Sequence, residues 1–251
     1  MGSLTRSPFH APRRCASICG LLLASLLVPP AAAAPVGYRG GVALAVENSV
    51  GARSAEATYT PTSRIAVGVR AEHDRALDHD FIGPALNVLV FRHNASSSQA
   101  NLYLMSAVGV ASGRYVIPTP NAAPLSVHAS HLAAASGAAP GRVARFDRPA
   151  VFLGAQADWE SRRFLLLAEA HRMAVEEQGS TVMYRGRIGV APYIGEFGDL
   201  HTWLILQAEH FPYAGRQITL TPMVRLFKGP ALVELGSSLQ GDLFAALRLS
   251  F

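Results

Sequence analysis

The chain ends Asp242-Leu-Phe-Ala-Ala-Leu-Arg-Leu-Ser-Phe251. Leu243, Ala245, Leu247, Leu249 and Phe251 are apolar and share one parity, while Arg248 and Ser250 share the other. A strand points successive side chains to opposite faces, so this spacing predicts a strand with one apolar face. It stops on an aromatic residue in register with that face. The same parity recurs through the chain. Eleven further segments alternate: 38–47, 54–60, 65–72, 85–93, 101–110, 151–159, 163–171, 184–190, 204–209, 218–226 and 231–235. Only 85–93 leaves its faces ambiguous. Twelve strands is the expected number, with ten the alternative if one pair merges.

At the other end, Arg6, Arg13 and Arg14 precede the mostly apolar stretch 18–28, and small residues follow at Ala31 to Ala34. This is the pattern of a secretory signal, too short to cross a membrane as a helix. The expected cut falls after Ala33, since Pro35 is a poor residue just past a cut. Residues 1–33 are then signal peptide and 34–251 the mature domain. The signal carries three arginines and no acid, so the net charge falls from +5 to +2. The basic balance therefore gives no argument for nucleic acid. Cys15 and Cys19, the two cysteines, leave with the signal, which excludes disulfide and thiolate chemistry in the mature chain. Lys228 is the single lysine.

The terminal strand resembles the C-terminal signal of bacterial outer-membrane β-barrels, with Leu247, Leu249 and Phe251 as the residues the assembly machinery reads. The resemblance covers the export signal, the strands and the terminus, and reaches no catalytic residue. It implies an all-β, antiparallel transmembrane barrel in the bacterial outer membrane, apolar outside and polar within. It also implies a monomer, with lipid, lipopolysaccharide and the assembly machinery as partners. The connections fit. Pro61 to Ser63, Glu160 to Arg162 and Lys228 to Pro230 read as tight turns. The alternating connections 74–84, 112–148 and 172–180 read as longer outer loops. A soluble barrel with its apolar face inward is the structural rival. The loop 112–148, rich in Ala, Pro and Ser, reads equally as an outer loop or as a plug folded into the lumen.

The inward parity gathers Arg39, Glu47, Glu56, Arg70, Glu72, Asp158, Arg163, Glu169, His171, Arg185, Arg187, Glu209, Arg225, Glu234 and Arg248. Charges in a narrow interior need partners across strands. Two uses follow. One is a closed, ion-paired structural lumen. The other is a polar path for a small solute, whose arginines favour anions. Arg185 and Arg187 are expected to face Glu169 and His171 on the preceding strand. Glu169 and His171, two apart on one face, are also the weak candidates for a hydrolase of phospholipid or lipid A, but no Gly-x-Ser-x-Gly nucleophile motif accompanies them. His73, Asp74 and Asp78-His79-Asp80 form an acidic patch that matches no zinc or calcium template. Ser126, His128, Ser130 and His131 cluster in the long loop. No cofactor or metal is called for.

Overall fold

The computed structural model describes residues 34–117, 142–196, 198–212 and 218–251. The expected signal peptide and the Ser126–His131 cluster lie outside the described residues. Twelve strands form, all antiparallel to their neighbours: β1 (Val42–Asn48), β2 (Ala52–Thr62), β3 (Ile65–Asp74), β4 (His79–Asn94), β5 (Ser98–Ile117), β6 (Arg142–Ser161), β7 (Phe164–Val175), β8 (Gly179–Val190), β9 (His201–His210), β10 (Thr219–Lys228), β11 (Ala231–Ser237) and β12 (Leu243–Ser250). Each pairs with its sequence neighbours, and β12 pairs with β1, closing the barrel. Closure leaves no sheet edge to associate with another chain.

The terminal strand makes the seam. Ala43 to Asn48 lie opposite Ser250 to Ala245. Beyond the last pair, Val42 N–H donates to Phe251 O and Phe251 N–H to Val42 O, both at 2.8 Å. Phe251 thus holds the final rung of the seam, with its ring outward and half exposed.

Parity settles which face is in. Leu44, Val46, Val69, Leu104, Leu166, Ile188, Leu204, Leu206 and Leu235 all point out and are 40% exposed or more. Their neighbours Thr58, Arg185, Gln207, Thr221, Arg225 and Glu234 point in and are buried. The ambiguous β4 turns Phe81, Ala85, Asn87 and Leu89 inward and Ile82, Leu86 and Val90 outward. The outer face is therefore apolar, and the interior holds buried charged and polar groups together with apolar clusters.

Three sequence expectations change. Tyr38 and Gly40 precede β1 in a turn rather than opening the strand. The connections 74–84 and 172–180 shrink to the turns 75–78 and 176–178, because the flanking residues stay paired: Asp74 with His79, and Val175 with Gly179. Likewise 112–117 pairs with 142–147 as the end of a long β5–β6 hairpin, and the rest of the expected loop, 118–141, lies outside the described residues. In these segments the outward face turns polar at Asp80, Asp147 and Arg172 while Phe81, Phe146, Met173 and Val175 are buried inside, so the alternation of the neighbouring strands reverses and no longer marks them as their continuation. The end bearing both termini does carry two- and three-residue turns, at 63–64, 95–97, 162–163 and 229–230, with one longer link at 191–200.

Candidate functional site

The interior is a packed polar layer between apolar clusters. Arg70 on β3 is its first centre. Nη1 lies 3.0 Å from Glu56 Oε2 on β2, and Nε and Nη2 both reach Glu72 Oε2. The guanidinium sits 4.0 Å above the Phe152 ring. Phe152 in turn meets the His171 ring edge-on, centroids 5.4 Å apart. An arginine is suited to this place because its planar fork takes two carboxylates while its face stacks on an aromatic ring.

Arg185 on β8 is the second centre, and three carboxylates converge on it. Nη2 lies 2.6 Å from Glu47 Oε1 and 2.7 Å from Glu209 Oε1; Nη1 lies 3.2 Å from Glu169 Oε2. Its side chain is 5% exposed and that of Glu209 0%. Glu209 and Glu169 come from the adjacent strands, directly opposite in register. Glu47 comes from β1, which is five strands away around the ring one way and seven the other. The Arg185–Glu47 pair therefore crosses the bore. A second crossing lies nearer the far end: Thr181 Oγ1 on β8 donates to Asp74 Oδ2 on β3 at 2.9 Å, again five strands apart.

The third centre joins Arg187 and Arg225 to Glu234. Arg225 Nε is 2.6 Å from Glu234 Oε1, and Arg187 Nη1 is 3.2 Å from Oε2. Arg187 Nε also donates to Gln207 Oε1 at 2.7 Å, and its guanidinium lies 5.4 Å from the Phe244 ring centroid. Among the described residues, Arg248 has no hydrogen bond or ion pair, and its Nη1 is buried. Between these centres lies a cavity of about 430 Å³, lined by Glu47, Glu56, Arg70, Glu72, His171 and Arg248 among others.

The expected inward charges sort as follows. Arg70, Arg185, Arg187, Arg225, Glu209 and Glu234 all lie in the ion-paired layer. Arg39 and Arg163 do not: both are exposed in turns at the end bearing the termini, where parity no longer directs a side chain inward. Glu169 faces Arg185 as expected, but Arg187 lies opposite Leu167 and turns to Glu234 instead. Glu169 and His171 share the lumen without a hydrogen bond between them. The Glu169 carboxylate is taken by Arg185, and the pair faces the interior rather than the outer wall.

The arginine stripe expected to favour anions is outnumbered locally. Five carboxylates, Glu47, Glu56, Glu72, Glu169 and Glu209, are bonded to Arg70 and Arg185, and Arg248 lines the same cavity as a further cation. The acidic patch is split by alternation. Asp74 and His79 are buried inside. Asp74 Oδ1 caps the 75–78 turn by accepting from Ala76 and Leu77 N–H. His73 and Asp80 pair with each other on the outer side, Nδ1 to Oδ1 at 3.0 Å.

Sequence reasoning missed Asn87 and the segment ahead of β1. Asn87 Nδ2 donates to Glu56 Oε1 at 2.6 Å and to Pro35 O at 3.2 Å. The clear parity of β3 and β5, on either side of β4, was the available signal for its inward face. Comparison of the chain with protein-family models and with curated proteins finds no match.

Proposed function

We propose that this chain is a monomeric bacterial outer-membrane β-barrel with a lumen held shut by cross-bore contacts, and that its role is structural or accessory to that membrane. The apolar outer wall supports lipid as its surroundings, since charged groups inside and aliphatic groups outside suit a bilayer and not water. Outer-membrane lipid and lipopolysaccharide are then its neighbours, and the seam at Phe251 is what the assembly machinery would read.

The observation that carries the closed reading is the Arg185–Glu47 bridge, part-buried and spanning nearly the full bore. An open channel needs hydrated wall charges rather than charges spent on each other across the opening. The test is planar-bilayer recording of the purified protein, alongside fractionation and heat-modifiable migration. The expected result is an outer-membrane barrel without steady unitary current. Steady, ion-selective steps would refute the closed lumen.

Passage of a small solute is the second reading, favoured by the 430 Å³ cavity with charges of both signs on its wall. It requires Arg185 to release Glu47. Lipid hydrolysis draws less support, because Glu169 is engaged by Arg185 and His171 rests against Phe152 inside the wall.

A further inference from the structure

The ion-paired centres leave one cation out. Among the described residues Arg248 on β12 makes no hydrogen bond or ion pair, and its Nη1 is buried without a partner. A buried donor left unbonded costs free energy, so a position that keeps one needs a reason. The register around it supplies one. The next inward residue on β12 is Ala246, which lies opposite Glu47 of β1 on one side and Glu234 of β11 on the other. Arg248 itself lies opposite Ala45 and Leu232. Glu47 and Glu234 are therefore both its diagonal neighbours on the inner face, about 7–8 Å away and within reach of a long side chain. All of them border the cavity of about 430 Å³, so Arg248 and Glu47 have room to move.

The two glutamates are held differently. Glu234 has Arg187 and Arg225, and its side chain is 4% exposed. Among the described residues Glu47 has Arg185 alone, across the bore, and its side chain is 27% exposed. Arg185 does not depend on Glu47 in return. It also holds Glu169 and Glu209, from the strands on either side of it. Release of Glu47 leaves Arg185 with two carboxylates on its own wall, and offers Arg248 its first.

We propose that the barrel has a second, open state reached by partner exchange, in which Glu47 leaves Arg185 and bonds Arg248. Bonded to Arg185, Glu47 spans the bore and shuts it. Bonded to Arg248, it lies along the β1–β12 wall and leaves a path for small ions. Opening admits water to both former partners, yet neither is left without a counter-charge, the condition that makes breaking a buried pair so costly. Arg248 is thus the receiving cation, kept unpartnered in the closed state. The exchange changes no covalent bond and moves no proton. This inference rests on the membrane barrel and closed lumen proposed above, and supplies the route by which that lumen opens.

The test is a double-mutant cycle on the purified barrel, unfolded in lipid vesicles. In the unaltered chain Arg248→Met removes a cation that has no partner, and should leave the folding equilibrium constant unchanged or raise it. In Arg185→Leu, where Glu47 has gone to Arg248, the same substitution strands that carboxylate. There it should lower the constant about tenfold or more. The charge-exchanged pair Glu47→Arg with Arg248→Glu keeps Arg185, and so serves even where Arg185→Leu yields no barrel. It preserves the wall contact and sets a cation against Arg185. It should fold better than Glu47→Arg alone and pass steady current in planar bilayers. A purely structural Arg248 would lose the same factor in both backgrounds, and that result overturns the exchange. So does a charge-exchanged pair that gains nothing over Glu47→Arg, or that folds without conducting. Coupling between the two sites in a barrel that conducts unaltered would refute the closed lumen and leave the exchange standing. A silent barrel without coupling would do the reverse.

Discussion

Replacing Arg185 by leucine keeps a bulky side chain but withdraws the only cation that, among the described residues, is bound to Glu47, Glu169 and Glu209. Its bonds to Glu47 and Glu209 are 2.6 and 2.7 Å, within the range of charge-assisted pairs. Breaking one buried pair by removing a partner costs about 3–5 kcal/mol, most of it the penalty of the charge left behind. Here three carboxylates are left, though Glu47, at 27% exposed, can recover some water. The expected loss for Arg185→Leu is therefore at the upper end, about 5 kcal/mol. The assay is equilibrium unfolding in lipid vesicles, followed by loss of heat-modifiable migration. The double variant Arg185→Leu with Glu209→Gln should recover part of that loss, because one orphaned charge is gone. A loss under about 1 kcal/mol would refute the reasoning: it would mean the lumen is hydrated and its ion pairs screened like surface ones.

The outer wall gives a second test. Leu204→Arg, on the exposed mid-strand face of β9, should cost about 2–4 kcal/mol, whereas Leu239→Arg in the 238–242 turn should cost about 0–1. Equal costs would deny a membrane around the belt. The seam gives a third: deleting Phe251 removes two 2.8 Å backbone bonds, and should lower the yield of heat-modifiable protein in outer membranes.

The strands were legible because each is apolar on one side only, and the period of two marks it wherever that contrast holds. At His73 to Asp80 and Arg172 to Ser180 the contrast lapses. The outward face there turns polar, and at Met173 and Val175 the inward one turns apolar, so continuing strand reads as loop. The inward set was legible for the same reason, and it failed at Arg39 and Arg163, where the chain turns and parity stops meaning anything. Inward threonines have a further lesson. Thr221 points in as its parity requires, yet it is 1% exposed. An arginine there is not the mild change a water-filled lumen would allow; it would be forced into a packed interior, opposite the fully buried Gln207.

Which inward charges meet could not be read from alternation at all. Register with the next strand foretold Glu169 opposite Arg185, but Glu47 lies 138 positions before Arg185. Their meeting depends on ring closure at twelve strands: with ten, β1 and β8 would no longer stand nearly opposite.

Strand number also explains why the pairing shuts the lumen. Eight-stranded barrels are filled by their own side chains and sixteen- to eighteen-stranded ones hold a water channel; twelve lies between, so the contents decide. Toward the strand ends Arg53, Asp80, Arg114, Arg145 and Arg172 face out, while along the middle of the strands the apolar outer wall sends the charged residues inward. Were they of one sign, repulsion would hold them apart and water would fill the gap. Both signs are present, and each buried arginine of the three centres finds carboxylates within reach, two of those contacts spanning different parts of the ring. The pairing that makes the buried charges tolerable is then the same pairing that closes the bore. A conducting form would have to break Arg185–Glu47 and hydrate both partners, so the stability lost in Arg185→Leu is also a measure of how firmly the barrel is held shut.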